Sequence, residues 1–107
     1  MSETFEHREY LLNLFDCYGE LLTDKQKSIF MDVYELDLSF SEVAENLSIS
    51  KAAVSDSIKR TVALLEEYER VLGVVSNKKK RDALYQELES GIVDISTFLK
   101  QIQEIDC

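Results

Sequence analysis

Few residues in this 107-residue chain have types and spacing suited to chemistry, and most of those are basic. Lys51, Lys59 and Arg60 fall on one predicted helix, with Ser55 between them. Lys78, Lys79, Lys80 and Arg81 form an unbroken run. Ammonium and guanidinium groups so clustered neutralise phosphates, and a serine hydroxyl can donate to a phosphate or a base edge. Catalytic sets are missing. His7 is the single histidine, so any Ser/His or Cys/His pair would depend on one residue near the terminus. Cys17 and Cys107 make neither a disulfide framework nor a zinc site, and read as a half-buried thiol and a free tail thiol. No His/Cys/Asp cluster has metal-ligand spacing, and no glycine loop could cradle a nucleotide phosphate. The sequence therefore implies no metal, no cofactor and no enzyme.

The elements that must position the basic residues are helices. The chain has no proline and only three glycines, against roughly 5% Pro and 7% Gly in ordinary proteins. A small β-sandwich or barrel needs many tight turns, so the expected class is all-α. The 45% hydrophobic content is enough for a core without disulfides or metals. A first helix over residues 4–17 would use Leu11, Leu12, Phe15 and Tyr18, with Leu22 beyond it and Gly19 as an interruption. Thr23 with Gln26, and Ser39 with Glu42, have capping-box spacing, and Ser50 is a further N-cap candidate. Between the first two caps a helix would run to about Leu36, burying Ile29, Phe30, Val33 and Tyr34. A short helix after Ser39 would bury Phe40, Val43, Ala44 and Leu47.

After Ser50, the residues Val54, Ile58, Thr61, Leu65, Tyr68 and Leu72 keep one face for five turns. At about 100° per residue they form one stripe. Gly73 ends it. Ser76 or Asn77 would cap a helix carrying Leu84, Tyr85 and Leu88 and stopping at Gly91. A last helix would carry Ile95, Phe98, Leu99, Ile102 and Ile105. The expected organisation is a domain over residues 1–72 and a helical extension over residues 73–107, packing on that domain or on a second chain as a homodimer.

Residues 40–58 thus read as helix, short turn, helix. Ala44 is small enough for a close crossing, Ile49 fills the angle, and Leu47 and Val54 close the core with Val43 and Ile58 beside them. This is a helix-turn-helix, whose second helix is the one that enters a DNA groove. Ser48 takes the turn position where a left-handed residue is expected. Opposite the Val54/Ile58 stripe lie Ala52, Asp56, Lys59 and Ala63. Lys51, Lys59 and Arg60 are candidates for phosphate, and Ser55 for phosphate or base. Asp56 could accept from cytosine N4. A solvated helix face accounts for the same residues. Lys78–Arg81 suits a frayed helix start meeting a polyanion, and a solvated charge run is the simpler reading.

Charge is uneven along the chain. The total is −9, the wrong sign for a generic nucleic-acid binder. Residues 1–47 hold three basic and eleven acidic residues, whereas residues 48–107 hold nine and ten. An anion-binding surface is therefore expected in the second half, and the acidic first half would suit a basic protein partner. No apolar run is long enough to span a membrane and no secretory signal is present, so a cytoplasmic location without membrane insertion is expected.

The run from Leu21 to Gln26, then Asp37-Leu38-Ser39, Glu42-Val43-Ala44 and Ser50 to Val54, resembles region 4 of bacterial sigma factors. A closer likeness is to the YlxM-like family of small bacterial helix-turn-helix proteins. It is carried by Phe15-Asp16-Cys17-Tyr18-Gly19, Leu22-Thr23-Asp24-Lys25-Gln26, Ala53-Val54-Ser55-Asp56, Ile58-Lys59-Arg60-Thr61 and residues Leu64 to Glu69, and spans about residues 10–72. The resemblance implies a sigma-region-4-like module and a regulatory link to the signal recognition particle pathway, because family genes neighbour those for the particle's GTPase and its receptor. The family pattern at the recognition-helix start looks like Ser-Arg-Gln-Ala-Val-Tyr/Ser-Asp. Here Lys51 and Ala52 replace the Arg and Gln, which removes two side chains suited to base edges. Three functions follow as expectations. One is a regulator that binds particle RNA or DNA. Another is an adaptor that docks the particle protein or its receptor through the acidic surface. The third is a sigma-like transcription regulator.

Overall fold

The computed structural model describes residues 4–106, without the side chain of Asp106. Cys107, expected as a free tail thiol, lies outside the described residues. The regular structure of the described residues is helical: α1 is Phe5–Tyr18, α2 Asp24–Tyr34, α3 Phe40–Leu47, α4 Lys51–Leu72, α5 Val74–Glu89 and α6 Ile95–Asp106. A single 3-10 turn, Gly19–Leu21, joins α1 to α2. Two compact units result, the first ending at Val71 and the second beginning at Leu72.

The caps expected in the first half are formed. Thr23 Oγ1 accepts from the Gln26 amide at 3.2 Å, and Gln26 Oε1 accepts from the Thr23 amide at 3.0 Å. Ser39 and Glu42 repeat that exchange at 3.1 and 2.9 Å. Each box satisfies two of the donors that every helix start leaves orphaned. Ser50 Oγ accepts from the Ala53 amide at 3.0 Å and so starts α4. Thr4 caps α1 in the same way, through the His7 amide.

Leu11, Leu14, Ile29, Phe30, Val43, Val54 and Leu65 are fully buried and make the core of the first unit. Phe15 stacks on Phe30 with ring centroids 4.6 Å apart, and Phe30 on Tyr34 at the same distance. The Phe15–Phe30 pair joins α1 to α2, and the Phe30–Tyr34 pair continues the stack along α2. Tyr18 donates to Glu69 Oε1 at 2.7 Å and ties the end of α1 to α4. The Arg8 guanidinium reaches from α1 to the end of α2, where it donates to the Tyr34 carbonyl and, at 2.8 Å, to Asp37 Oδ1. The helix expected to reach about Leu36 ends at Tyr34, and beyond it Asp37 turns the chain with a left-handed φ of 61°.

Several expectations are corrected. Cys17 is exposed, not half-buried, because it lies on the outer face of α1 between the buried Leu14 and Tyr18. Val33, Phe40, Leu12 and Phe15 are half-buried. The stripe on α4 is buried at Val54, Ile58, Thr61 and Leu65 but exposed by Leu72. Neither Ser76 nor Asn77 starts α5. Gly73 does, at φ 63°, and Ser76 and Asn77 fall inside the helix. A residue without Cβ adopts this left-handed conformation at no steric cost, so the chain leaves α4 and re-enters helix within one position. In the second unit Phe98 is buried and its ring lies 5.1 Å from that of Tyr85, while Tyr85, Ile95 and Leu99 are exposed.

Candidate nucleic-acid interface

The helix-turn-helix is built by α3, the turn at Ser48–Ser50 and the first half of α4. Val43 and Ala44 on α3 and Val54 and Ile58 on α4 are buried, as their spacing requires. Ile49 is half-buried in the angle. Leu47 is corrected: at 39% exposure it is not a core residue. It is the last residue of α3, and the chain bends away at Ser48 before anything covers it.

The bend is a Schellman turn. Ser48 is left-handed, at φ 57° and ψ 43°. Its amide donates to the Glu45 carbonyl at 3.3 Å, and the Ile49 amide donates to the Ala44 carbonyl at 3.0 Å. Those two bonds satisfy carbonyls that the end of α3 would otherwise leave open. The Glu42 carboxylate, held by the Ser39 amide, is pushed below its ordinary acidity range and so stays ionised where the start of α3 favours negative charge.

The face of α4 turned away from this core is open. Lys51, Ala52, Ala53, Asp56, Lys59, Arg60 and Ala63 are exposed and Ser55 is half-buried. Arg60 Nε pairs with Asp56 Oδ2 at 3.1 Å. Lys51 and Lys59 make no ion pair among the described residues. The structure thus brings Lys51, Ser55, Lys59 and Arg60 onto one helix. It places Lys78, Lys79, Lys80 and Arg81 on α5 in the second unit. That run is not a frayed helix start but regular helix, with Lys78 bridged to Asp82 at 2.9 Å. Lys79 and Lys80 are exposed and Arg81 is half-buried.

One cation escaped the sequence reading. Lys25, on the first turn of α2, lines a cleft with Arg60 of α4. No local pattern marks it, because its neighbour across the cleft is remote in sequence. Among the described residues no cluster of His, Cys, Asp and Glu could hold a metal ion. Nor is any helix long and apolar enough to cross a membrane.

A capped helix, a left-handed turn and a long second helix with an open outer face define an all-α helix-turn-helix protein. The match to the family described as "Putative helix-turn-helix protein, YlxM / p13 like" runs over residues 5–105, and the chain belongs to that family, UPF0122. It is similar to the UPF0122 protein lwe1821 of Listeria welshimeri, 38% identical over 109 residues that span 95% of this chain and 99% of the relative. It is also similar to UPF0122 proteins of Mycoplasma capricolum, 40% identical over 89% of this chain and 84% of the relative, and of Halalkalibacterium halodurans, 45% identical over 74% and 72%.

Proposed function

We propose that the chain is a non-enzymatic regulatory protein of the cytoplasm that binds nucleic acid through α4. The observation that carries this reading is the open outer face of α4, presented by a sharp turn that two backbone hydrogen bonds and the Ser50 cap hold in place. Lys51, Lys59 and Arg60 meet phosphates there, and Ser55 meets a phosphate or base edge. The first two turns of α4 carry no Arg, Asn or Gln to form a bidentate pair with a base, so backbone contact dominates there. Lys78–Arg81, in the second unit, is a separate candidate for phosphate contact. The pathway to which the sequence resemblance points, that of the signal recognition particle, supplies the RNA target, and a DNA site is the alternative.

A second reading is favoured by the exposure of Glu6, Glu9, Asp16, Glu20, Asp24, Glu35, Asp37, Glu42 and Glu45. These make an acidic surface on the first unit that would dock a basic protein such as the particle protein or its receptor. The two readings separate in one experiment. The full chain is titrated into labelled RNA and DNA at several salt concentrations, with Lys59→Glu/Arg60→Glu beside it. The nucleic-acid reading expects a negative log–log salt slope that shrinks in the double variant. Equal, salt-independent affinity for both proteins would leave the acidic surface as the working one.

A further inference from the structure

The outer ridge of α4 has a cation on each flank. At about 100° per residue, Lys59 lies about 60° to one side of Asp56 and Arg60 about 40° to the other. On the Arg60 side the helix borders a cleft of about 300 Å³. Its lining includes Thr23 and Lys25 from the start of α2, and Asp56, Ser57 and Arg60 from α4, above the apolar side chain of Ile49. On the Lys59 side a second cleft, of about 280 Å³, is bordered by His7 of α1 and by Lys59 itself.

Lys25 stands out in its surroundings. The first 47 residues hold only three basic side chains. Arg8 is engaged by Asp37, and Lys27 by Glu20 at 3.3 Å. Lys25 is exposed, makes no ion pair among the described residues, and is the one of the three that borders the cleft with Arg60. Asp56 occupies one edge of the Arg60 guanidinium through Nε and leaves its two terminal nitrogens available. Two cations from different helices and two hydroxyls, Thr23 and Ser57, therefore converge on one opening large enough for a phosphate.

A helix in the major groove of B-form DNA, about 12 Å wide, runs between two rails of phosphate. One-sided charge would hold only one rail. We propose that the Lys25–Arg60 cleft seats a backbone phosphate of duplex DNA on the flank of α4 opposite Lys59. The proposal rests on the reading of α4 as the nucleic-acid-binding helix. It adds Lys25, and α2 with it, to the interface as a clamp on the second strand.

The test uses the full chain and a mixed-sequence DNA duplex of about two helical turns. Affinity is measured across salt concentrations for the parent and for Lys25→Gln, Lys25→Arg, Lys59→Gln and Lys27→Gln, with thermal midpoints to show that each is folded. Loss of one phosphate contact reduces the log–log salt slope by about 0.9. The expected result is that reduction in Lys25→Gln and in Lys59→Gln, its recovery in Lys25→Arg, and a parental slope in Lys27→Gln. If Lys59→Gln reduces the slope and Lys25→Gln matches Lys27→Gln, the clamp is overturned and the α4 reading survives. If neither Lys59→Gln nor Lys25→Gln differs from the parent, the clamp is overturned, and with it the reading of α4 as a helix that binds duplex DNA.

Discussion

The amide of Ile49 donates to the carbonyl of Ala44 at 3.0 Å, five residues back, and this bond fixes the bend between α3 and α4. It can form only because Ser48 is left-handed. An L-residue with a side chain pays about 1–2 kcal/mol for that conformation, and the unfolded chain gains roughly 0.5–1 kcal/mol of entropic advantage when the residue becomes glycine. Ser48→Gly is therefore expected to stabilise the fold by about 0.5–1 kcal/mol. Ser48→Val should destabilise it, because a β-branched residue fits this region worst. Urea unfolding of the full chain, followed by helical circular dichroism, reads both.

Thr61 is almost wholly buried on the inner face of α4, and its hydroxyl has no hydrogen-bond partner. A buried unsatisfied hydroxyl costs about 1–3 kcal/mol in lost solvation. Valine keeps the branched shape and replaces the hydroxyl with a methyl. Thr61→Val should raise stability by about 1 kcal/mol. No gain in urea midpoint would mean that the hydroxyl bonds a carbonyl of the preceding turn, as helical threonines often do.

The clamp formed by Arg8 depends on the shape of the guanidinium. One fork serves two acceptors, the Tyr34 carbonyl at the end of α2 and the Asp37 carboxylate just beyond it. A lysine keeps the charge but cannot span both. The side chain is one-third exposed, so solvent screens the ionic part. Arg8→Lys is expected to lower stability by about 1 kcal/mol. Asp37→Ala in the Arg8→Lys background should then cost less than in the parent, which a double-mutant cycle measures.

Which of these features the sequence announces follows from how far apart their parts lie. The boxes at Thr23–Gln26 and Ser39–Glu42, the cap at Ser50 and the left-handed turn at Ser48 are all legible, because each is decided within a few residues by groups competing for the same orphaned amides and carbonyls. The buried quartet Val43, Ala44, Val54 and Ile58 is legible from periodicity. Leu47 is not, since periodicity gives the direction of a side chain but not whether anything lies there to cover it. The start of α5 at Gly73 is missed because Ser76 and Asn77 are better caps by type, and only the backbone path through Gly73 makes them unnecessary. Arg8 with Asp37, Tyr18 with Glu69, and Lys25 beside Arg60 are long-range partners, which no local window displays.

Acid should loosen the start of α3. The Ser39 amide holds Glu42 below its ordinary value of 4.5. A carboxyl with a lowered folded value contributes stability that is fully present above the unfolded value and lost as pH falls through the folded one. Glu42→Gln keeps an oxygen for the Ser39 amide but carries no titrating charge. The parent should therefore be more stable than Glu42→Gln at neutral pH, and the difference should close as pH falls below 4.5. Thermal midpoints of the two chains between pH 3 and pH 7 test this. A difference that persists unchanged into acid would assign the effect to side-chain shape rather than charge.

Asp56 is the acid on the outer ridge of α4, and it holds Arg60 by an i,i+4 ion pair at 3.1 Å. If α4 meets the DNA backbone, this carboxylate opposes binding twice, by repelling phosphate and by occupying a cation. A like-charge contact screened by water is worth about 1 kcal/mol, or roughly five-fold in affinity. Asp56→Asn is therefore expected to tighten binding to a mixed-sequence duplex by about five-fold and to steepen the salt slope. Removing the exposed ion pair should leave stability almost unchanged, since such pairs contribute about 0–1 kcal/mol. The opposite result would be equally informative about the ridge. If Asp56→Asn weakened binding to sites with cytosine under α4 and left others alone, the carboxylate would be accepting from a cytosine amino group, and the ridge would be reading bases rather than only fitting between phosphates.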